Sequence, residues 1–309
     1  MKVLVTGGAG LVGMNLRAEL KRRGHHVCAV DITAFDRIDP ELVQMPIDDV
    51  DALEALARDR GIDGIVHAGA ISGPMMLRSD PMTIVRTNIT ATAAIIDMAR
   101  RLSIMRFVFC SSVSVYGSGE TVLDEDAPLH PTSLYGASKV AGEQLLRGFA
   151  ADHGVAGVSL RIARVYGPYR RGNCPIQSML MAAAARRELE LSGDETFPYH
   201  FVHVDDVVES IILALGRRER GVLELNVAAA APQTLPEIIA AAREVAPRLA
   251  VRIVHGENDV PDYQRGFDTS KIASAFGWQA KLDLRKGIES YQAFLSAQQG
   301  CFTPHDNAL

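Results

Sequence analysis

Short apolar segments alternate with helical patterns through the first half of the chain. Residues 2–6 form a β-rich apolar run, Leu11, Leu16 and Leu20 then lie on one side of a predicted helix, and residues 26–30 form a second apolar run. Strands that alternate with helices in this way are typical of a parallel sheet with helices packed on both faces. The pattern therefore predicts an α/β fold built on a doubly wound parallel sheet.

The alternation continues to about residue 167 and then loosens. In the first half we predict buried strands at 64–67, 106–111 and 155–161, and helices at about 81–102 and from residue 133 onward. In the second half we predict helices at 175–190, 205–217, 234–246, 270–277 and 284–298, and strands at 199–204, 222–227 and 250–255.

The first loop is rich in glycine, and its position predicts a dinucleotide-binding site. It follows the first strand directly and opens the first helix, and an acidic residue ends the second strand. Glycine lets such a loop turn sharply and lets its backbone approach a pyrophosphate, whose charge the helix N-terminus favours. The candidate cofactor-binding residues of this loop are Gly7, Gly10, Leu11, Val12 and Gly13.

The alternating pattern and the glycine loop also predict how the chain is divided into domains. Residues 1–167 are expected to form a Rossmann-type dinucleotide-binding domain. Residues 168–309 are expected to form mainly a smaller, interleaved α/β substrate domain, with parts of 200–228 returning to the first domain.

Asp31 is the candidate that selects the cofactor. It lies 18 positions after Gly13, where a carboxylate can accept hydrogen bonds from a ribose 2′-hydroxyl and would repel a 2′-phosphate. No arginine follows it before Arg37, so the sequence favours NAD over NADP. An aspartate that only caps the loop is the alternative.

Tyr135 and Lys139 are the strongest catalytic candidates. Four residues apart on a predicted helix, they lie on one face, one turn from each other. A cation beside a tyrosine favours the phenolate, so we expect Lys139 to lower the pKa of Tyr135 from about 10. Such a tyrosine can exchange a proton with a substrate hydroxyl. The pair alone is a weak signal, and its meaning depends on the glycine loop.

Composition narrows the class of protein. The chain has 309 residues and a net charge of −5, and nothing in it indicates a nucleic-acid partner. Cys28, Cys110, Cys174 and Cys301 are scattered, so neither disulfides nor a metal site is expected. No apolar stretch is long enough to span a bilayer, and the N-terminus reads as a strand rather than a signal peptide. We expect a soluble cytoplasmic protein.

The ordered motifs resemble the extended short-chain dehydrogenase/reductase family, in its NAD-dependent epimerase/dehydratase branch. They cover about residues 1–215, and the C-terminal part is similar in pattern only. The matching segments are 6–13, Asp31, Asp48, 67–70, Asn88, Ser111 and Ser112 with 115–117, Tyr135 and Lys139, 160–161, 165–168 and 201–206.

The resemblance implies a role for each matching residue. Tyr135 would be the acid/base, Lys139 would activate it and hold the nicotinamide ribose, and Ser112 would hydrogen-bond the reacting oxygen. Asn88 would be a structural polar residue behind the site. The helices near 81–102 and 133–152 would form the four-helix bundle of a homodimer. Further cofactor contacts would come from Asp48 and Asp49 at the adenine, from Ala68, Gly69 and Ala70, and from Ser111 and Ile162.

The sequence leaves the reaction open among related outcomes. Val113 and Ser114 stand where dehydratases of this family carry an Asp-Glu pair, so dehydration is disfavoured. Oxidation of a sugar or sugar acid and epimerisation of an activated sugar, with nucleotide-sugar 4-epimerase as a specific alternative, both remain. A non-catalytic NAD-sensing protein is a further alternative, although such proteins commonly lose the tyrosine or the lysine.

The substrate is expected to be a small carbohydrate that can carry an anionic group. Nucleotide-sugar epimerases usually have asparagine at the position of Arg164 and a basic residue before Phe201, where this chain has Tyr199 and His200. Arginine recognises carboxylates and phosphates through paired hydrogen bonds. The segment 72–76 is expected to form a loop over the cleft or a simple surface turn. The candidate substrate residues are Ser72, Ser112, Ser114, Arg164 and Arg170, with Arg171 and Arg265 as further possible anion contacts.

Overall fold

A seven-stranded parallel sheet forms the centre of the computed structural model, which describes residues 1–35, 39–73, 80–172, 174–217 and 219–298. Its strand order is β11-β7-β5-β4-β1-β2-β3, and each neighbouring pair is parallel. The predicted doubly wound α/β fold is therefore confirmed. The strands are β1 Lys2–Thr6, β2 His26–Asp31, β3 Leu42–Gln44, β4 Gly64–His67, β5 Phe107–Ser112, β7 Ala156–Ile162 and β11 Gly221–Val227.

Helices cover both faces of this sheet, and three small strand pairs lie outside it. The helices are α1 Leu11–Arg22, α2 Val50–Arg60, α3 Pro81–Ile84, α4 Ala91–Arg101, α5 Leu134–His153, α6 Pro175–Ala184, α7 Val204–Gly216, α8 Leu235–Val245, α9 Ser270–Phe276 and α10 Leu284–Gln298. The small pairs join β8 Arg164–Tyr166 to β10 Phe201–His203, β9 Leu189–Ser192 to β12 Val251–Val254, and β6 Gly119–Leu123 to β13 Gln264–Phe267.

The alternation of side chains along β1 divides the core into two layers. Val3 and Val5 face the layer that also buries Leu16 of α1, whereas Leu4 faces the layer that contains Leu53 of α2. Successive side chains of a strand point to opposite faces, so an apolar strand with no polar alternation has to be covered on both sides. The layered arrangement follows from this requirement.

A third apolar cluster holds the C-terminal elements together. It includes Met179 of α6, Ile238 of α8 and Ile288 of α10, all with 0% exposure. β11 nevertheless belongs to the large sheet, where it pairs with β7. The proposed division at residue 167, with parts of 200–228 returning to the first domain, stays a prediction.

Two predicted helices have different boundaries in the structure. The segment 81–102 is interrupted by a π-helical turn at Val85–Thr90 between α3 and α4. The predicted helix 175–190 ends at Ala184, because Arg186 adopts a left-handed backbone with φ of 53°. Residues 189–192 then form β9, which pairs with β12 and places Leu189 and Leu191 against the third cluster. Here tertiary packing outweighed the local helical pattern.

No helix in the described ranges combines the length and apolar character needed to cross a bilayer.

Candidate active site

The glycine loop between β1 and α1 is packed too tightly to accept side chains. A Cβ atom on Gly7, which has φ of +70°, would lie 2.8 Å from the Ala68 backbone. A Cβ atom on Gly13 would lie 2.1 Å from the Gly7 carbonyl oxygen. The loop therefore brings bare backbone to the edge of the sheet, as close approach to a pyrophosphate requires.

The N-terminus of α1 offers an anion a favourable position. Gly10 is its N-cap residue, no side chain caps the helix, and no acidic residue lies in the first turn. The first N–H groups of the helix, including those of Leu11 and Val12, lack intrahelical partners. Together with the helix dipole they favour a phosphate group. These observations fit a dinucleotide, with its pyrophosphate over Gly10 to Gly13.

Asp31 has the capping contacts that the sequence left as an alternative. Its carboxylate accepts hydrogen bonds from the Ala9 N–H at 2.9 Å and from the Ile32 N–H at 2.8 Å. A carboxylate has about four acceptor sites, so these two bonds leave capacity for a ribose hydroxyl. The cofactor role of Asp31 is compatible with its capping role and stays a prediction.

The other predicted cofactor residues lie along the C-terminal edge of the same sheet. Asp48 and Asp49 are exposed at the start of α2, where Asp49 accepts a hydrogen bond from the Ala52 N–H at 3.2 Å. Gly69 follows β4, and a Cβ atom there would lie 3.1 Å from the Gly7 nitrogen. The remaining candidates, Ala68, Ala70 and Ile162, follow β4 or end β7.

Tyr135 and Lys139 lie on the first two turns of α5. Ser133 caps this helix by accepting a hydrogen bond from the Gly136 N–H at 3.1 Å. A Cβ atom on Gly136 would lie only 2.4 Å from the Ser114 carbonyl oxygen, so the helix begins directly against the turn that follows β5. This contact brings Tyr135 beside Ser112.

The Ser112 hydroxyl is held where β5 ends. It accepts a hydrogen bond from the Ser114 N–H at 3.1 Å and lies 3.2 Å from the Ser114 hydroxyl. It also interacts with the Tyr135 side chain. Thus the structure groups three predicted residues, Tyr135, Ser112 and Ser114, around one point at the end of the strand.

The expected lowering of the Tyr135 pKa was wrong for this arrangement. Burial raises the pKa of Tyr135 to about 12, and the Ser112 hydrogen bond and the positive charge of Arg170 only partly oppose the rise. The Lys139 Nζ donates a hydrogen bond to the Cys110 carbonyl at 2.7 Å and lies 5.7 Å from the centre of the Tyr135 ring. Desolvation of the phenolate therefore outweighs the hydrogen bond from Ser112 and the charge of Arg170.

Lys139 is itself affected by burial. Desolvation lowers the pKa of its ammonium to about 8, and the carboxylate of Glu143, one turn further along α5, opposes this shift. The amine lies 4.9 Å from the centre of the Phe109 ring. Lys139 is thus an ammonium held in an apolar environment beside the tyrosine.

Ser111 differs from Ser112 although the two are adjacent. Its hydroxyl donates to Glu143 Oε1 at 2.7 Å, and the residue is 4% exposed. Neighbouring residues of a strand face opposite sides of the sheet, which separates the two serines. The side chain of Ser111 belongs to an internal polar network, and its predicted contact with the cofactor stays a prediction.

Arg164 is paired with a carboxylate. Its guanidinium donates to both oxygens of Asp259, at 2.7 Å to Oδ1, and lies 5.0 Å from the centre of the Phe201 ring. Tyr199 and His200 are buried, and His200 Nε2 is 2.7 Å from the Gln264 carbonyl oxygen. Burial lowers the pKa of His200, so neither residue offers a positive charge before Phe201.

Arg170 has a different environment. Its Nε is buried without a hydrogen-bond partner in the described part of the chain, and its charge reaches Tyr135 and Tyr291, opposing the rise of both pKa values. An unpaired buried donor is unfavourable unless a ligand meets it. Among the predicted anion contacts, Arg170 is the residue whose positive charge acts on Tyr135, the predicted acid/base.

The loop that carries Arg170 is fixed at several points. Asn15 of α1 donates to the Pro168 carbonyl at 3.0 Å, and the Arg171 guanidinium lies 3.9 Å from the centre of the Phe35 ring. Tyr169 has φ of 67°, an uncommon conformation for a residue with a side chain. These contacts join residues 168–171 to helix α1 and to the segment that follows Asp31.

Two further candidates are exposed residues. Ser72 is exposed beyond the end of β4, whereas residues 74–76 of its predicted loop lie outside the described residues. Arg265 is exposed on β13.

Comparison with known proteins agrees with this fold. The model of the NAD dependent epimerase/dehydratase family matches residues 3–228. UDP-glucose 4-epimerase of Azospirillum brasilense is 30% identical, over 93% of this chain and 89% of its own length.

Two solved structures are similar over nearly their full lengths. The structure of MoeE5 in complex with UDP-glucose and NAD is 28% identical, with a TM-score of 0.86, and the match covers 97% of this chain and 100% of that one. UDP-glucuronic acid 4-epimerase from Bacillus cereus, in complex with UDP-glucuronic acid and NAD, is 25% identical, with a TM-score of 0.85 and coverage of 96% and 99%.

A parallel sheet with a glycine cradle and a Tyr-Lys pair is the arrangement of NAD-dependent enzymes of the extended short-chain dehydrogenase/reductase type. The chain belongs to the NAD dependent epimerase/dehydratase family. The predicted family, enzyme class and cofactor, NAD, are thereby confirmed. When bound, NAD⁺ accepts a hydride, and the protein has to position the substrate and move its proton.

Two site features escaped the sequence analysis. Glu143 lies on the same face of α5 as Tyr135 and Lys139, and its spacing of four residues from Lys139 could have revealed it. Asp259, the partner of Arg164, lies 95 residues away in the chain, and no local pattern indicates that pairing.

Proposed function

We propose that this enzyme uses NAD to oxidise a hydroxyl group of a small carbohydrate that carries an anionic group. The observation that carries the proposal is the environment of Arg170. Its Nε is buried without a hydrogen-bond partner among the described residues, and its positive charge acts to lower the pKa of Tyr135. A substrate anion on Arg170 would hold the sugar with its hydroxyl at Tyr135 and Ser112.

The catalytic roles follow from this placement. Tyr135, as the phenolate, would accept the hydroxyl proton and become the neutral phenol, while the carbon that bears the hydroxyl would give its hydride to the nicotinamide. Ser112 would hold the reacting oxygen in line, and the Lys139 ammonium would stabilise the phenolate that has to be present before the transfer. Because burial raises the pKa of Tyr135 to about 12, the phenol would lose its proton to water only with the Lys139 ammonium and the positively charged nicotinamide ring beside it.

Release of the oxidised product, as in a sugar or sugar-acid dehydrogenase, is the outcome that the site supports best. A nucleotide sugar carries a diphosphate, which needs cations along the substrate cleft. Arg164 is engaged by Asp259, and Tyr199 and His200 are buried and uncharged. A single anionic group, such as a sugar carboxylate, needs only one cationic partner, which Arg170 would provide.

Nucleotide-sugar 4-epimerase is the second candidate. It is supported by the similarity to UDP-glucose 4-epimerase over nearly the whole chain and to structures determined with UDP-sugars. In that reaction the hydride would return to the other face of the same carbon, with Tyr135 giving back the proton. Arg170 would then face the diphosphate or a uronic carboxylate.

One experiment separates the candidates. The purified enzyme is incubated with excess NAD and a panel of sugars, sugar acids and nucleotide sugars, and both NADH absorbance and isomer formation are followed. Accumulation of NADH with a sugar acid supports the dehydrogenase, whereas an isomer formed without net NADH supports the epimerase. A protein that binds NAD and turns over none of the panel would favour the NAD-sensing alternative.

We also propose that the enzyme is a homodimer formed through α3, α4 and α5. Met82 of α3 and Leu134 of α5 expose 56% and 37% of their surface, and a partner helix pair would cover them. Analytical ultracentrifugation is expected to give a dimer mass, and a Met82→Glu variant is expected to shift it toward the monomer. A monomer mass for the unaltered protein would reject this arrangement.

A further inference from the structure

A series of buried hydrogen bonds connects Gly69, which follows β4, to Tyr135 on α5. The Gly69 N–H donates to the Thr6 hydroxyl at 3.1 Å, and that hydroxyl lies 2.7 Å from His67 Nδ1. His67 Nε2 lies 2.9 Å from the Thr92 hydroxyl, which donates to the Asn88 carbonyl at 2.7 Å. Thr6, His67, Thr92 and Asn88 are each at most 2% exposed.

The Asn88 side chain continues this connection to α5. Its Nδ2 donates to the Ser138 hydroxyl at 3.1 Å, and Ser138 donates to the Tyr135 carbonyl at 2.7 Å. The same side chain exchanges two hydrogen bonds with the backbone of Ile71, just beyond β4. We call the set Gly69, Thr6, His67, Thr92, Asn88, Ser138 and Tyr135 the Gly69–Tyr135 network.

The donors in this network fix the tautomer of His67. Thr92 spends its only proton on the Asn88 carbonyl, so its oxygen accepts from His67, whose Nε2 must carry hydrogen. His67 Nδ1 is then an acceptor for the Thr6 hydroxyl. Burial lowers the pKa of His67 to about 3, and the charge of Lys139 acts in the same direction, so the ring stays neutral.

Every hydrogen bond of the network therefore runs in one direction, from Gly69 toward the Tyr135 carbonyl. Hydrogen bonds aligned in this way polarise one another, and a fully satisfied buried network is rigid. The imidazole adds packing to this rigidity, since its ring stacks on Phe109 with centroids 5.7 Å apart. Phe109 also lies under the Lys139 amine.

The network crosses the π-helical turn Val85–Thr90. Such turns are rare, and they occur frequently at functional sites. The turn places Asn88 between Ile71 and α5, and Thr92 supplies the hydroxyl that binds the Asn88 carbonyl. A regular α-helix over 81–102 would have fewer residues in this turn and would point the Asn88 side chain in a different direction. The π-helical turn therefore matters for the contacts of Asn88.

We infer that His67 is a positioning residue, which sets the distance and orientation between the segment after β4, at Gly69, and helix α5, at Tyr135. Thr6 and Thr92 hold the imidazole for this task, and Asn88 passes the constraint to Ser138. Loss of one hydroxyl would leave the fold in place but let the tyrosine move relative to the nicotinamide. A displacement of about 1 Å at reacting groups can lower a rate by about 100-fold.

Two isosteric variants test the inference, which rests on the proposed role of Tyr135. Thr92→Val and Thr6→Val each remove one hydroxyl of the network. Ser210→Ala is the matched control, since it removes a fully buried hydroxyl that donates to the Val207 carbonyl within α7. For Thr92→Val we expect a kcat about tenfold lower at unchanged substrate KM and unchanged NAD affinity.

Rescue by the conservative variant distinguishes positioning from mere stability. Thr92→Ser keeps the hydroxyl and is expected to retain kcat within twofold, whereas Ser210→Ala is expected to lower thermal stability without lowering kcat. If Thr92→Val lowers stability but keeps full kcat, the inference is overturned. If Thr92→Val does not fold, Thr6→Val decides in the same way from the other end of the network.

A spectroscopic readout is independent of turnover. In the NAD-bound enzyme labelled with ¹⁵N-histidine, His67 is expected to be the neutral Nε2–H tautomer throughout pH 5–8, and Thr92→Val is expected to shift it toward a mixture. A wild-type His67 that carries hydrogen on Nδ1, or that titrates in this range, contradicts the inference. If the wild type turns over no substrate, the proposed function fails while this measurement still decides the network.

Discussion

The Glu143 carboxylate and the Arg161 guanidinium meet at 2.8 Å in the centre of the molecule, where their side chains are 0% and 1% exposed. Glu143 lies on α5, two turns from Tyr135, and Arg161 lies on β7. Ser111 and Ser159 also donate to Glu143. Helix α5, which carries Tyr135 and Lys139, is thus joined to β7 by a buried ion pair and to β5 by the Ser111 hydrogen bond.

This ion pair predicts a large loss of stability when one partner is removed. Glu143→Gln would leave the Arg161 charge buried without its counterion, and we expect a loss of about 3–5 kcal/mol in the free energy of unfolding. A double variant, Glu143→Leu with Arg161→Met, is expected to lose less than the single charge removal. Urea denaturation measures both.

The exposed pair Arg252–Glu190 provides the control for that comparison. Its side chains are 59% and 56% exposed, so Glu190→Gln is expected to leave the unfolding curve nearly unchanged. Equal effects of Glu143→Gln and Glu190→Gln would contradict the structural role assigned to the buried pair.

Tyr135→Phe tests the catalytic assignment. The variant keeps the ring but removes the hydroxyl that exchanges the proton, so we expect kcat to fall by about 10²–10⁴-fold with NAD affinity unchanged. Calorimetry with NAD and a turnover assay measure the two quantities. Tyr263→Phe, on an exposed residue, is expected to change neither. Full activity of the Tyr135 variant would reject the mechanism.

Arg170→Met tests the proposed anion contact. Charged hydrogen bonds are worth about 1.5–3 kcal/mol, so kcat/KM for an anionic substrate is expected to fall about 10- to 100-fold. The loss should be much smaller for a neutral sugar of the same shape, and the exposed Arg187→Met should leave both unchanged. Equal losses on charged and neutral substrates would place Arg170 outside substrate recognition.

Lys139 is expected to make stability depend on alkaline pH. Its pKa is about 8 in the folded state against an ordinary value of 10.5, so between these values the unfolded chain holds a proton that the folded protein has released. Stability from this group therefore rises with pH through the window. At pH 7, Lys139→Met should be more stable than the wild type by up to about 3 kcal/mol.

The pH profile of this difference is the decisive measurement. The gap in unfolding free energy between Lys139→Met and the wild type should shrink as the pH rises from 8 toward 10.5. The exposed Lys281→Met should show no such trend. A difference in unfolding free energy that stays constant over this range would mean that burial does not lower the pKa of Lys139.

Two helical glycines are expected to respond oppositely to alanine. At Gly13 the new Cβ would lie 2.1 Å from the Gly7 carbonyl oxygen, so Gly13→Ala should abolish NAD binding. Gly148 is on α5 with no atom within 4 Å of a new Cβ, and Gly148→Ala should raise stability by about 0.5–1 kcal/mol. NAD titration and thermal melts test the pair, and NAD binding by Gly13→Ala would refute the cradle.

The sequence by itself determined the elements that depend on neighbours in the chain. The glycine loop, the acid at the end of β2 and the Tyr135–Lys139 spacing all follow from backbone geometry and from periods of two or 3.6 residues. For this reason the parallel sheet, the cofactor class and the helix of the catalytic pair could be predicted. The π-helical turn inside 81–102 could not, because it contains Asn88, whose contacts with Ile71 and Ser138 join segments far apart in the chain.

Only the tertiary structure decided the electrostatics of the site. It raised the pKa of Tyr135, paired Arg164 with Asp259, left the Arg170 Nε without a hydrogen-bond partner among the described residues, and connected Gly69 to Tyr135 through His67. These properties depend on burial and on groups far apart in sequence, since desolvation and hydrogen-bond partners are set when distant segments pack together.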